Sequence, residues 1–523
     1  MNRFAPTFSD RWLQAVQTVG HRPFLIWEDA EGNVSSWTYE GFDALVARTA
    51  AGLVRRGVGP GDCVHLVLRN SPAFVALWLA TCRIGAWMLP SDPMSTPAEL
   101  RIHLARTSPT VGVCATGRQE TYLTAAEGTG VEVVAVDEAD TTLEVLAGPV
   151  ADIVDVGRPR PRDRAAVMFT SGTTSSPKGV VLTQANYAFA GDVMAAAAAL
   201  NRYHRQLVVL PLFHANAQYY SFASAISAGA SVALMAAFSA SGFLAQAARH
   251  RATHASLFAA PMRMILARGA HLRDDLSLIH CWYAQNITSE QYEELSLLLG
   301  CRPRQLYGMT ETVPAVLTSR DIDPRPDTMG HPTLGCRVEI HDSAGLPAPP
   351  DETGQIVVGG RPGYELFDGY LDDPETTAAS FSGGWFLTGD RAWMDSAGHF
   401  HFAGRSGDVL KVAGENVSVV EVESVLAQHP DILEAAVIGA PDDIRDEVPV
   451  AFVVPRPGRA PREDSLASWC EERLAPAKRP RRFHLLTELP RTSVGKIRKF
   501  LLTESPDTSR PDHTNPAKPG ARP

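Results

Sequence analysis

Amphipathic runs at helical spacing alternate with short, continuously apolar runs along most of the chain. The pattern predicts helices over Glu40–Gly57 and Ser71–Ile84, and buried strands over Cys63–Leu68, Ala86–Pro90, Val133–Val136 and Ala165–Phe169. Such alternation implies α/β architecture with substantial sheet. After about residue 345 the runs shorten into segments such as TGQIVVGG, GWFLTGD and GHFHFAGR, which predict a smaller β-rich subdomain. The pattern then breaks at Gly404–Asp408, GRSGD, where two glycines flank a polar pair. Beyond it, helices over Val420–His429 and Ser465–Leu474 and strands over Ala435–Ile438 and Val450–Val454 make an α+β unit of about 100 residues. The expected organisation is a large N-terminal domain over residues 1–405, a small C-terminal domain over residues 406–504, and a tail over residues 505–523. That tail is rich in Pro, Ser, Thr and Asp and lacks apolar periodicity, so it is expected to be disordered.

One stretch tests the soluble reading, because no charged residue occurs from Ala215 to Ala248, a length that would span a bilayer. Asn216, Gln218, Ser221, Ser224, Ser227, Gly229, Ser231, Ser239, Ser241 and Gly242 punctuate it, and alanine supplies much of its apolar content. A buried helix, turn and strand fit it better than a membrane span. Composition agrees: of 523 residues, 45% are hydrophobic and 20% charged, which excludes wholesale disorder and suits a protein with a sizeable core. The 48 Lys and Arg against 58 Asp and Glu leave a net charge of −10, without the electrostatic footprint of a nucleic-acid binder. The seven cysteines, Cys63, Cys82, Cys114, Cys281, Cys301, Cys336 and Cys470, are scattered and never in CxxC spacing. They read as thiols of a reducing compartment, and MNRFAPTFSDRWLQ lacks a secretory pattern, so a cytoplasmic location is expected.

The most informative segment is MFTSGTTSSPKGVVLT, Met168–Thr183. It sets Thr170, Ser171, Thr173 and Thr174 as hydroxyl donors, Gly172 and Gly179 for close backbone approach, and Lys178 as a positive charge directly after an apolar strand. Such a loop can wrap a polyphosphate. It is not the usual NTPase P-loop, because Pro177 precedes Lys178 and Gly179 follows it. By spacing alone, a polar surface loop is the competing reading.

TSGTTSSPKG is followed or preceded, in order, by GAWMLPSDP (Gly85–Pro93), PLFHANAQ (Pro211–Gln218), QLYGMTET (Gln305–Thr312), GYLDDPETT (Gly369–Thr377), FLTGDRAW (Phe386–Trp393), GRSGDVLKVAGENVSVVEVE (Gly404–Glu423) and LPRTSVGKIRK (Leu489–Lys499). With these segments the chain resembles the adenylate-forming superfamily of acyl-CoA synthetases, aryl-CoA ligases, adenylation domains and luciferases, and is closest in pattern to acid–CoA ligases. The resemblance implies activation of a carboxylate with ATP as an acyl-AMP mixed anhydride, then displacement of AMP by the thiol of coenzyme A. The first step brings two anions together, which calls for a metal ion, a lysine and fixed hydrogen-bond donors.

Carried over position by position, the resemblance implies that Lys496 bridges the carboxylate and the α-phosphate, Thr310 donates to that phosphate, and Glu311 holds Mg²⁺. Tyr307 would pack on adenine, with Gly308 and Met309 beside it, and Asp390 would accept the ribose hydroxyls while Arg405 adds a cationic contact. Thr170, Ser171, Gly172, Thr173, Thr174 and Lys178 would hold the phosphates, and Ala284, Gln285 and Asn286 would flank adenine. His214 would gate the acyl pocket; a satisfied core histidine is the alternative. Gly407 would serve as the pivot between two orientations of the small domain, and Lys411, Gly414 and Glu415 would line the pantetheine tunnel. A lone Lys, Glu or Asp is ordinarily a solvated charge, and only joint placement in motifs overturns that reading.

The chain departs from the family pattern at Ser175, where glycine is frequent, at Gly407, where Asp or Lys is common, and in YAQNITSE (Tyr283–Glu290), where small residues are usual. These departures keep open an enzyme of one half-reaction, which thioesterifies a supplied acyl-adenylate or adenylates for a carrier protein. A non-catalytic nucleotide-binding scaffold and luciferase-type oxidation are more remote. The acyl pocket, expected around Ala215–Ser227 and Ala255–Pro261, contains no Asp, Glu, Lys or Arg, which implies a neutral, mainly hydrophobic acid, bulky or cyclic if the cavity is roomy. The basic run KRPRR, Lys478–Arg482, would meet CoA phosphates or an acidic carrier protein, or else is a solvated loop.

Overall fold

The computed structural model describes residues 5–150, 157–170, 177–268, 271–320, 324–405, 409–412, 415–442, 446–491 and 497–502. The chain divides into two compact units, one running up to Val409 and the other beginning at Leu410.

Among the described residues the first unit contains three sheets. A seven-stranded sheet has the parallel strands Trp87–Pro90, Cys63–Val67, Val111–Ala115 and Glu132–Val136. Its other end is the antiparallel hairpin Arg164–Thr170/Lys178–Thr183, with Gly369–Tyr370 at the edge. The strand Cys63–Val67 is buried throughout, as its continuous apolar run requires for a sheet covered on both faces. The helix Pro72–Ile84 follows sequence chemistry closely: Ser71 accepts from the Phe74 N–H as N-cap, Pro72 opens the first turn, and Gly85 ends it at φ 71°.

A nine-stranded sheet is built around the parallel strands Ser231–Met235, Arg205–Val208, His254–Phe258, His280–Ala284 and Arg304–Tyr307. The uncharged stretch folds as a π-helical segment Asn216–Ala223, a helix Ser224–Ala228 ended by Gly229, and the buried strand Ser231–Met235. This is the expected helix, turn and strand, and among the described residues no helix is long and apolar enough to cross a membrane. The third sheet is antiparallel, with Trp385–Met394 paired to Gly354–Gly359 and Phe400–Arg405. The principal core of the first unit runs from Phe8 to Phe400, with smaller clusters around Leu89 and Tyr122.

The second unit carries the helices Val419–Ala427 and Glu463–Arg473 against a sheet whose main hairpin is Ile432–Asp442/Asp446–Pro455. These strands are longer than the apolar runs that predicted them, because the pairing continues past the buried positions to Asp442 and Asp446. The seven cysteines are free thiols, and burial pushes Cys82 and Cys336 up to about 12.

Candidate active site

The antiparallel register sets Asp390 directly across from Arg405. Along Trp385–Met394 burial alternates, and Thr388 and Asp390 share the buried face. Gly389, between them, sits at φ 75°, a conformation that favours glycine. Asp390 is 5% exposed at its side chain and is held from two sides: the Tyr307 hydroxyl donates to Oδ2 at 2.7 Å and Arg405 Nε donates to Oδ1 at 2.9 Å. The Asp390 N–H donates to Thr388 Oγ1 at 3.1 Å. Burial, and then the Asp390 charge, push the Tyr307 phenol well above its ordinary pKa, so Tyr307 stays a donor. A carboxylate has about four lone-pair sites, so Asp390 retains acceptor capacity for the hydroxyls of a ribose.

Tyr307 ends the strand Arg304–Tyr307, and Gly308 leads into the 3₁₀ turn Thr310–Thr312. A Cβ on Gly308 would lie 2.9 Å from the Pro314 carbonyl oxygen, 3.0 Å from Ala315 Cα and 3.0 Å from the Tyr220 hydroxyl, so only glycine fits. The Met309 N–H donates to Thr312 Oγ1 at 3.0 Å and Thr310 is half-buried. Glu311 is 6% exposed; its backbone carbonyl accepts from Phe367 N–H at 2.9 Å and its Oε1 accepts from the Tyr370 hydroxyl at 3.1 Å. The next residue but one, Val313, takes φ 68°, a strained conformation for a β-branched side chain, directly beside this turn.

The hairpin stems on either side of residues 171–176 reach the same place. Thr170 pairs with Lys178 across the hairpin, and Lys178 Nζ lies 5.0 Å from the centre of the Tyr370 ring. Tyr370 thus joins Lys178 to Glu311. Arg106, at the end of the helix Pro97–Thr107, donates to the Pro177 carbonyl at 2.6 Å and to the Leu371 carbonyl at 3.3 Å, with its guanidinium 4.8 Å from the Phe169 ring centre. His103, one turn earlier, stacks on Phe169 at 4.5 Å and bonds Ser91 Oγ at 2.8 Å.

Ala284 ends the strand His280–Ala284, and the chain then turns at Gln285, whose φ is 74°. Gln305 Nε2 donates to the Gln285 carbonyl and to Asn286 Oδ1, both at 3.1 Å, while both residues keep exposed side chains. His214 is half-buried, with its ring 4.4 Å from that of Phe213. Ser171, Gly172, Thr173, Thr174, Gly407, Gly414 and Lys496 lie outside the described residues; Lys411 and Glu415 fall on the strands Val409–Val412 and Glu415–Ser418 of the second unit. In the basic run, Lys478 Nζ bonds both Glu421 carboxylate oxygens at 2.7 Å, and Arg479 donates to the Leu474 and Glu471 carbonyls.

Sequence reasoning missed Tyr370, Thr388, Gln305 and Arg106. The first three lie inside or beside segments already singled out, GYLDDPETT, FLTGDRAW and QLYGMTET, so their motifs carried a signal. Arg106 had none, since it is a helix-end arginine remote from every motif.

A parallel α/β body that gathers a pinned carboxylate, an aromatic donor, a buried glutamate and the hairpin stems with Thr170 and Lys178 suits a nucleotide-binding enzyme. The chain belongs to the AMP-binding enzyme family: that family's model matches residues 12–371, and the model of the AMP-binding enzyme C-terminal domain matches residues 421–496. Its relatives include the crotonobetaine/carnitine–CoA ligase of Salmonella paratyphi A (strain ATCC 9150 / SARB42), 31% identical over 507 residues that cover 93% of this chain and 97% of the relative. Among solved structures, an anthranilate CoA ligase in complex with anthranoyl-AMP superposes with a TM-score of 0.85 at 25% identity, covering 95% of this chain and 97% of that one. A benzoate CoA ligase from Burkholderia xenovorans LB400 does so with a TM-score of 0.82 at 26% identity, covering 95% and 99%.

Proposed function

We propose that the protein is an ATP-dependent, AMP-forming acid–CoA ligase that performs both half-reactions on a neutral, mainly apolar carboxylic acid. The observation that carries the reading is the convergence of Tyr307 and Arg405 on the buried carboxylate of Asp390, with Glu311 and Lys178 joined through Tyr370. Its relatives act on acids of different kinds, carnitine, benzoate and anthranilate among them, so the acid itself is argued from this chain's own pocket residues.

In this reading Asp390 orients the ribose, Tyr307 packs on adenine with Ala284, Gln285 and Asn286 at its rim, and the hydroxyls of the Thr170–Lys178 hairpin hold the phosphates. Lys178 and Arg405 offset the charge of the triphosphate, and Lys496 steadies the attacking carboxylate against the α-phosphate. Magnesium fits Glu311 in one respect: its carboxylate is buried and receives the Tyr370 hydroxyl, and from there it would hold a cation whose remaining ligands would be phosphates and water. Among the described residues no cluster of three or more His, Cys, Asp or Glu forms an all-protein cage, which suits a metal that arrives with the nucleotide. Bound there, it would neutralise charge on the phosphates. His214 gates the acyl pocket, and with Lys478 and Arg479 engaged inside their own unit, support for a basic landing site at Lys478–Arg482 is reduced.

The test is to incubate the protein with ATP, Mg²⁺, CoA and a panel of carboxylic acids and record AMP, pyrophosphate and thioester separately. Equimolar AMP and thioester support the reading; thioester from synthetic acyl-adenylate with no pyrophosphate exchange would reduce it to one half-reaction.

A further inference from the structure

Asn216 opens the π-helical segment, two residues after His214, and is 5% exposed. Neither its amide nitrogen nor its amide oxygen has a hydrogen-bond partner, and among the described residues it is the only side chain with two such buried atoms. Tyr219, three residues on in the same segment, is fully buried with its hydroxyl also unpartnered. Gln218 and Ser224 nearby are satisfied: Gln218 accepts from the Tyr187 hydroxyl and donates to the Leu212 carbonyl, and Ser224 donates to the Tyr220 carbonyl. Within Asn216–Ala223 the buried side-chain atoms without a partner are those of Asn216 and Tyr219, and Ser227 Oγ is the next along the chain. Burying a primary amide with both ends unpaired forfeits its hydration without return, a cost native structures carry chiefly where something else completes the bonds.

The place fits a substrate. Tyr220, the next residue, puts its hydroxyl against Gly308 of the adenine segment, and the charge of Glu311 reaches Tyr219. The segment is also a widened π turn, a form common at functional sites. We infer that Asn216 and Tyr219 form a neutral hydrogen-bonding subsite in the acyl cavity, which selects acids bearing an uncharged polar substituent such as a hydroxyl, a ketone or a carboxamide. An amide and a phenol each donate and accept, which matches a neutral group. The stretch Ala215–Ala248 holds no cation to pair a second carboxylate, and Glu311 opposes another anion nearby. The inference rests on the acid–CoA ligase reading and narrows its substrate from merely apolar to apolar with one polar handle.

The experiment compares matched acids, benzoate with 4-hydroxybenzoate, hexanoate with 6-hydroxyhexanoate, and cyclohexanecarboxylate with 4-oxocyclohexanecarboxylate, by kcat/KM for thioester formation. The wild-type protein is expected to favour the polar member of at least one pair by about tenfold or more. Asn216→Leu should collapse that ratio towards one and raise the Tm of the free protein, because it removes an unpaired buried amide. Tyr219→Phe, which loses only one oxygen, repeats the test if Asn216→Leu does not fold. A wild-type preference for the apolar members, or an Asn216→Leu variant that loses Tm and activity on both members equally, overturns the subsite and marks Asn216 as structural. If no acid yields thioester, the ligase reading fails and the subsite falls with it, whereas thioester formed without any polar preference overturns the subsite alone.

Discussion

Asp390 shows what a single side chain must supply here. Both its oxygens are engaged by donors, Tyr307 on one and Arg405 on the other. Asp390→Asn keeps the volume but turns one acceptor into a donor that faces another donor. Charged hydrogen bonds of this kind contribute about 1.5–3 kcal/mol, so pyrophosphate exchange should fall by about 10- to 100-fold while the Tm changes little. Tyr307→Phe removes one bond and leaves the ring, so the larger effect should be on KM for ATP, raised by about tenfold or less. Gly308 sets a different limit. A methyl group there meets the Pro314 oxygen at 2.9 Å and Ala315 Cα at 3.0 Å, both backbone atoms that cannot swing aside. Gly308→Ala should therefore cost about 1–3 kcal/mol in urea unfolding, and activity should drop with it because the displaced turn carries Thr310 and Glu311.

At the scale of elements, the hairpin that presents Lys178 is fixed from outside. Arg106 ties its outgoing stem at Pro177 and the edge strand at Leu371, and lies over Phe169 on the incoming stem. Arg106→Ala should raise KM for ATP and slow pyrophosphate exchange about tenfold or more, yet leave thioester formation from a supplied acyl-adenylate near its wild-type rate; equal losses in both half-reactions would contradict this. The support behind Phe169 is a buried chain in which Tyr122 and Ser91 flank His65, and Ser91 also meets His103. Burial, opposed by Glu99 and reinforced by Arg106, lowers the His103 pKa to about 4, and His65 lies lower than usual through burial and the neighbouring His103. Between pH 6.5 and about 4 the unfolded chain therefore binds protons at these positions that the folded chain does not. Stability should fall as the pH drops through that window, and His103→Asn should make the urea midpoint less sensitive to it. Much of this scale was legible in advance. The helix Pro72–Ile84 announced itself by Ser71, Pro72 and Gly85, and the hairpin stems by their apolar runs. The π turn at Asn216–Ala223 was not, because a polar, fully buried segment carries no periodicity to read. Tyr370 was quoted within a motif but without a role, since its partner Glu311 is 59 residues away and only the fold brings them together.

For the molecule as a whole, the decisive feature is that each unit has a core of its own. The principal core of the first unit runs from Phe8 to Phe400, whereas Leu410, Val422, Leu426, Val437, Val453 and Leu466 belong to a separate cluster in the second. Apolar burial is the main source of folding cooperativity, so two cores favour two unfolding events rather than one. Calorimetry should resolve two transitions. Leu426→Ala, a truncation at a fully buried position, should destabilise the smaller by about 2–5 kcal/mol and leave the larger in place. Nucleotide provides the complementary probe, because Tyr307, Asp390, Arg405, Glu311 and Lys178 all lie in the first unit. A ligand at a hundred times its Kd stabilises the form that binds it by about 2.7 kcal/mol. AMP should therefore raise the larger transition in the wild-type protein and in Leu426→Ala alike, and should do so much less in Asp390→Ala. A single transition that shifts as one body under both perturbations would show that the two cores fold as one, and that the small unit's stability cannot be tuned without touching the nucleotide site.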